Sequence, residues 1–151
     1  MSAVRVIAHT SHGECMQSSN LMEYQRIWVE GLNRGDPSVA DEAFAPDCVV
    51  HITGQPEPLS GTGPWKGLVQ GFLTAFPDLR FVMEDQLVVG DKVAHRWSCT
   101  GTHTGPLGPV PPTGKKVAFD GIIIDRVVNG KVAERWEQYD GMLMMQQLGL
   151  G

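Results

Sequence analysis

A chain of 151 residues with 42% hydrophobic and 19% charged side chains has the balance of a single globular domain, long enough to bury a core. Its formal charge of −5 leaves no basic stripe to displace counterions from phosphates, which excludes a nucleic-acid binder. The longest apolar runs, such as Ile122–Ile124, are far too short to cross a bilayer.

The opening stretch carries one Arg, a brief apolar patch and then His and Glu, which is not the pattern of a signal peptide. Cys15, Cys48 and Cys99 are widely spaced and form no CxxC pair, so reduced thiols in a cytoplasmic protein are expected. Residues 1–17 show no period and are expected to form a flexible tail ahead of one domain spanning 18–151. Asn20 then reads as a helix cap supported by Glu23, with Leu21, Tyr24, Trp28 and Leu32 at helical spacing and Gly35 as the stop. Asp36 and Pro37 announce a short second helix running to Pro46. "CVVHIT" (48–53) reads as a short strand. A third helix, "PWKGLVQGFLTAF" (64–76), puts Trp65, Leu68, Val69, Phe72, Leu73 and Phe76 on one stripe, and Pro77 closes it.

After Pro77 the period changes from helical to alternating. Residues 79–89, 92–103, 116–128 and 131–140 read as strands, with Asn129-Gly130 as a tight hairpin turn between the last two. This order predicts an α+β fold: a curved antiparallel sheet with three helices packed on its concave face, forming a cone around a cavity. Two Pro/Gly-rich loops, 53–64 and 104–116, either connect elements or rim the cavity mouth.

Alternation sorts the candidate functional side chains by face. On the last strand, Val132, Glu134, Trp136 and Gln138 share one side, and Ala133, Arg135, Glu137 and Tyr139 share the other. If the second side lines an apolar pocket, desolvation raises the pKa of Glu137 and makes it a workable acid or base, while Arg135 opposes that shift. The bland alternative is a surface Glu–Arg pair. On the strand over 92–103, Val93, His95, Trp97, Cys99 and His103 share a side that looks buried, where a histidine is more often a core residue than a catalyst. His51 is on the opposite side of its strand from Cys48 and Val50. On the strand over 116–128 both sides are apolar in the middle, and helices can cover only one, so a partner subunit is expected over Ile122 and Ile124. Asp125 and Asp120 are then cavity groups or interface ion-pair partners. Trp28 and the other three tryptophans are core residues, of which one or two line a cavity for a flat ligand. His9-x-x-His12 lacks further ligands at metal spacing, so no metal is expected.

The segment from Gly101 to Gly149 resembles the SnoaL-like polyketide cyclases of the nuclear-transport-factor-2-like superfamily. The resemblance is carried by Gly101-x-His103-x-Gly105, Pro112-Thr113-Gly114, Arg126, Gly130-Lys131, Glu134-x-Trp136, Asp140 and Gln147-Leu148-Gly149. "GLNRGD" (31–36) and "APDCVVH" (45–51) extend it to about residues 20–149. The resemblance implies a homodimer through the open face of the sheet and aldol-type ring closure without metal or organic cofactor. It also implies a proton-abstracting carboxylate on the last strand, which falls on Glu137 where the cyclases carry aspartate. A cyclase histidine aligns with Ile123, and a cyclase asparagine with Val50, one residue from His51.

The combined expectation is a cofactor-independent enzyme acting on a hydrophobic, polyketide-like small molecule, by cyclisation, isomerisation or dehydration. Glu137, His51 and His103 are its candidate catalytic residues, and Trp28, Tyr139, Arg135, His95 and Asp125 its candidate substrate-binding residues. Epoxide hydrolysis by Asp125, Arg135 and Glu137 around a water is the variant on the same fold. A non-catalytic small-molecule binder and a dimeric scaffold without a usable pocket are the rivals.

Overall fold

The computed structural model describes the backbone of residues 5–8 and 15–150, and the side chains of residues 21–150. In chain order the elements are β1 (Arg5–Ala8), α1 (Cys15–Asn33), a 3-10 turn (Pro37–Val39) leading into α2 (Ala40–Ala43), β2 (Phe44–Ile52), β3 (Leu59–Ser60), α3 (Thr62–Ala75), β4 (Arg80–Val89), β5 (Lys92–Thr102), β6 (Lys116–Val128), β7 (Lys131–Tyr139) and α4 (Gly141–Gln147).

The seven strands form one curved, unclosed sheet in the order β1-β4-β5-β6-β7-β2-β3. Its body is the expected antiparallel meander, β4 to β7. The Asn129-Gly130 turn joins β6 to β7 with both residues at positive φ (53° and 78°), the backbone that a two-residue hairpin of this kind demands. The flanks depart from an all-antiparallel sheet. β2 runs parallel to β7, and β1 runs parallel to β4. Residues 5–8, expected within the aperiodic tail, are therefore strand, while much of 1–17 lies outside the described residues.

One face of the sheet packs against α1 and α3. Tyr24, Trp28 and Leu32 of α1 and Trp65, Val69 and Leu73 of α3 are buried there, as their spacing predicts. α1 begins at Cys15 and not at Asn20, which is an interior residue of the helix. The second helix is shorter than expected. Asp36 caps the 3-10 turn by accepting from the Ser38 N–H, but Phe44 already opens β2, with Pro46 inside that strand. Beyond Tyr139, Asp140 caps a fourth helix that the sequence reading did not anticipate. Asp140 Oδ1 accepts from the Leu143 N–H at 2.9 Å, and Gln147 of α4 exchanges two hydrogen bonds with the Ala118 backbone of β6.

The loop over 104–116 folds back on the end of α3. The N–H groups of Thr104 and Gly105 both donate to the Ala75 carbonyl at 3.1 Å. A Cβ on Gly105 would come within 1.9 Å of the Thr74 carbonyl oxygen, so only glycine permits this approach. Among the described residues, no helix is long and apolar enough to cross a membrane. Cys48 and Cys99 are buried free thiols.

Candidate functional site

The side-chain alternation of β5, β6 and β7 decides what reaches the space between sheet and helices. On β6, Val117, Phe119, Ile123, Asp125 and Val127 point inward, while Ala118, Asp120, Ile122, Ile124 and Val128 are exposed. β7 carries an irregularity where Val127 pairs with Val132 but Arg126 pairs with Glu134. The extra residue, Ala133, resets the alternation, so Val132 is buried on the same side as Arg135 and not beside Glu134. From there onward Arg135, Glu137 and Tyr139 face inward, and Glu134, Trp136 and Gln138 face outward.

The inner face encloses a pocket of about 70 Å³ lined by α1, α3, β2, β4, β5, β6 and β7. Its wall is aromatic: Trp28 stacks on Trp65 at 5.7 Å, Phe81 packs on Trp97 at 5.1 Å, and Phe119 on Tyr139 at 6.1 Å. Val29, Leu68, Phe72, Phe81, Val82, Glu137 and Tyr139 are its half-buried lining residues, contributed by α1, α3, β4 and β7. No residue of the loops 53–64 or 104–116 lines this pocket, so of the two readings it is connection that the structure supports. Proline and glycine there serve connection and the capping of α3.

Glu137 is the one charged side chain among the lining residues. Its carboxylate has no hydrogen-bond partner among the described side chains, and its remaining exposed surface faces the pocket. Burial pushes its pKa up to about 7; Arg135 pulls the other way, and the charge of Asp125 adds to the rise. A carboxyl poised near neutrality in an apolar recess can accept or deliver a proton at the working pH. Tyr139, two residues on, lines the same pocket with its phenol pKa raised by burial and then by Glu137. Trp28 and Tyr139, two of the expected substrate-binding residues, line the same pocket as Glu137.

Behind this wall lies a second constellation, away from the pocket surface. Asp125 accepts from Arg135 Nε at 2.7 Å and Nη2 at 2.8 Å, and from the Tyr24 hydroxyl at 2.6 Å. His95 Nε2 lies 2.7 Å from the Tyr24 oxygen and 3.3 Å from Asp125. With Tyr24 donating to Asp125, its oxygen is free to accept from an Nε2–H of His95. The His95 Nδ1, which has no partner, is then a bare acceptor and not a stranded N–H. The Arg135 guanidinium sits 4.8 Å from the Phe44 ring centroid and just under 6 Å from those of Trp28 and Trp65. Burial alone would raise the pKa of Asp125, yet Arg135 holds it well below the ordinary carboxylate range. His95 is pushed down by burial, so it is neutral at neutral pH. Arg135, His95 and Asp125, expected to bind substrate, are therefore buried partners of one another and line no part of the pocket.

The two other candidate catalytic histidines are also apart from the pocket. His51 lies on the outer face of the sheet, stacked on Trp136 at 5.5 Å with its Nε2 at 2.8 Å from Glu134. Its alternation relative to Cys48 and Val50 foretold that side, against the role that the neighbouring cyclase asparagine suggested. His103 is buried against Phe76, and its Nδ1 accepts from the Thr113 N–H at 3.2 Å. It ties the loop over 104–116 to the end of β5. Sequence reasoning missed Tyr24 as a member of the buried network; its helical spacing signalled only a core residue. Gln25, the neutral polar side chain of the pocket wall, was also missed. Among the described residues, no cluster of His, Cys, Asp or Glu could hold a metal.

Solved structures share this fold over most of the chain. A candidate polyketide cyclase from Bacillus cereus superposes with a TM-score of 0.79 at 28% identity, covering 97% of this chain and 91% of that one. IdmH of Streptomyces antibioticus, also a candidate polyketide cyclase, gives 0.75 at 31% identity, covering 85% and 98%. AclR of Streptomyces galilaeus, a candidate hydroxylase, gives 0.74 at 30%, covering 85% and 82%. Among curated protein sequences, nothing matches the chain. The pattern of the SnoaL-like polyketide cyclases matches residues 22–148. This chain belongs to the SnoaL-like polyketide cyclase family.

Proposed function

We propose that the protein is a cofactor-independent enzyme that moves a proton at an activated carbon of a hydrophobic, polyketide-like small molecule, with Glu137 as general acid/base. One observation carries this reading: a single carboxyl, unpaired and with its pKa pushed to about 7, stands in an otherwise uncharged aromatic pocket. In such a site Glu137 takes a proton from a carbon flanked by carbonyls, and the resulting enolate closes a ring, shifts a double bond or expels a leaving group. The apolar walls exclude competing water. Tyr139, next to Glu137 in the same wall, is the hydroxyl best placed to meet an oxygen of the substrate. The pocket, at about 70 Å³, is smaller than the roughly 300–1,000 Å³ of typical ligand sites, so a polyketide-sized molecule enters as rim side chains swing aside.

Epoxide hydrolysis needs a second carboxylate at the water. Asp125 has both oxygens engaged by Arg135 and Tyr24 and does not line the pocket, which favours the enolate reading. Glu137→Gln keeps size and polarity but cannot accept the proton. In a screen of cyclic ketones, polyketide-like esters and epoxides, it should lower turnover by about 10²–10⁴ and leave ligand affinity nearly intact. Equal turnover in both proteins would overturn the assignment. Ligand binding by the wild type without turnover of any class would leave the chain a binder.

The outer face supports a second copy of the chain as its cover. Leu87, Ile122, Ile124 and Trp136 are all exposed there, Ile122 by 57%. They are flanked by the Asp85–Arg96 and Glu134–Arg126 pairs, so both signs of charge border the apolar row. A two-fold axis through such a face brings the same patch of both copies together, apolar row against apolar row. Stable interfaces of this kind bury about 1,600 Å² in total. Light scattering at micromolar concentration should give the dimer mass; a monomer mass would refute it.

A further inference from the structure

Arg135 and Glu137 leave β7 on the same face, two residues and so about 7 Å apart along the strand. Arg135 is fully buried, and it keeps its proton at any accessible pH. Left alone, a cation at that distance in a dry interior would hold Glu137 as a permanent carboxylate, a poor base. The structure contains the compensation. Asp125 stands directly opposite Arg135 in the β6–β7 register, just as Ile123 stands opposite Glu137. Its two oxygens engage Nε and Nη2 of the guanidinium, and the Tyr24 hydroxyl adds a third donor that fixes the carboxylate in place. Arg135 Nη1 has no partner, and no hydrogen bond joins Arg135 to Glu137. We propose that Asp125 is a positioning residue for Glu137: it takes up the Arg135 charge, so that the pocket carboxylate is left free to exchange a proton with the ligand. This rests on the acid/base reading of Glu137.

The other titratable groups packed around the pair carry no charge near neutrality. Cys99 on β5 is pushed up to about 12 by burial and then by the charges of Glu137 and Asp120. Cys48 on β2, Tyr24 on α1 and Tyr139 on β7 are all raised, chiefly by burial. His95 on β5 is lowered by burial and neutral. α3 and β4 contribute apolar side chains to the lining. The local field at Glu137 is therefore the balance between one cation and one anion, and either can be removed.

The test reads Glu137 directly, by NMR titration of protein labelled at the glutamate side-chain carboxyl carbons, with the resonance assigned by its loss in Glu137→Gln. The wild-type midpoint is expected at about 7. In Asp125→Asn the Arg135 charge is unmasked, and the midpoint should move down the pH scale by roughly 1–2. In Arg135→Gln the Asp125 charge stands alone, and the midpoint should rise. In the double variant, with both charges gone, it should return close to the wild-type value. A purely structural role for the pair predicts no such alternation of sign. An unmoved midpoint in either single variant overturns the proposal. Because the two expected directions are opposite, whichever variant folds decides. A wild-type midpoint in the ordinary carboxylate range would instead sink the acid/base reading of Glu137, whatever the variants do.

Discussion

Asp125 and Glu137 are two carboxylates on adjacent strands, both turned to the inner face of one sheet. Burial acts on both in the same direction, raising the pKa. For Asp125 it is overruled by the bidentate Arg135 guanidinium, with His95 adding to it; for Glu137, which has no such donor, it prevails. One group is thus fixed as an anion and is structural, while the other sits near neutrality and is available for chemistry. The difference teaches that burial alone does not make a functional carboxyl. A buried carboxyl without such a partner is instead left able to take up a proton near neutrality, which is what the proposed role of Glu137 needs.

The largest effect that would break this comparison comes from Asp125→Ala. It leaves the Arg135 guanidinium, 0% exposed at its side chain, as an uncompensated buried charge. Losing one partner of such a pair typically costs about 3–5 kcal/mol. Chemical denaturation should show a loss of that order, and a loss below about 1 kcal/mol would mean that water reaches Arg135 after all.

Glu137 predicts the reverse at smaller size. Its folded pKa is raised above the ordinary value of 4.5 to about 7, so the native state binds the proton more tightly than the unfolded chain does. Its contribution is most favourable below the unfolded pKa and is lost as pH rises through about 7. Glu137→Gln, which carries no charge at any pH, should therefore match the wild type near pH 4–5. It should be more stable by about 1–3 kcal/mol at pH 8, since each tenfold change in proton affinity is worth roughly 1.4 kcal/mol and the side chain is partly exposed to the pocket. Thermal unfolding across that range checks it. A variant less stable than wild type at pH 8 would show that Glu137 has a favourable partner as an anion.

The sequence made some of these relations legible and hid others, for reasons that follow from how each is encoded. Alternation along β5, β6 and β7 is local, and it set Glu137 and Tyr139 on the opposite face of β7 from Glu134 and Trp136; the resemblance said which of the two faces turns inward. Trp136, expected in the core, is instead exposed on the outer face beside His51. The helical stripe of α3 and the Asn129-Gly130 turn are equally local. The bulge at Ala133 is not, because it depends on the pairing with β6; it misplaced Val132. The buried network is the least local feature. Tyr24 lies 101 positions from Asp125 and 71 from His95, and only the docking of α1 on the sheet brings them together. His95, Asp125 and Arg135 could be seen as inward-facing, but nothing in their own segments said that they would satisfy one another and leave the pocket to Glu137. β1 and α4, at four and seven residues, are too short to carry a readable period.

The smallest expected effect extends the comparison to a third carboxylate. Glu134 is three residues from Glu137 on the same strand and faces outward, paired with His51 at 2.8 Å and with Arg126 at 3.5 Å. The hydrogen bond with His51 is the largest cause lowering its pKa, with Arg126 adding a smaller pull, but its side chain is 26% exposed. Solvent and salt screen such pairs, which contribute about 0–1 kcal/mol. Glu134→Gln should accordingly change stability by less than about 1 kcal/mol in dilute solution, with the difference shrinking further in high salt. It should leave turnover unaffected, because its side chain points away from the pocket. A loss above about 2 kcal/mol, growing with protein concentration, would instead show that the outer face is desolvated, as a subunit interface would make it. A turnover defect would mean that the charge on the outer face reaches Glu137 through the strand, and the separation of the two faces would then have to be given up.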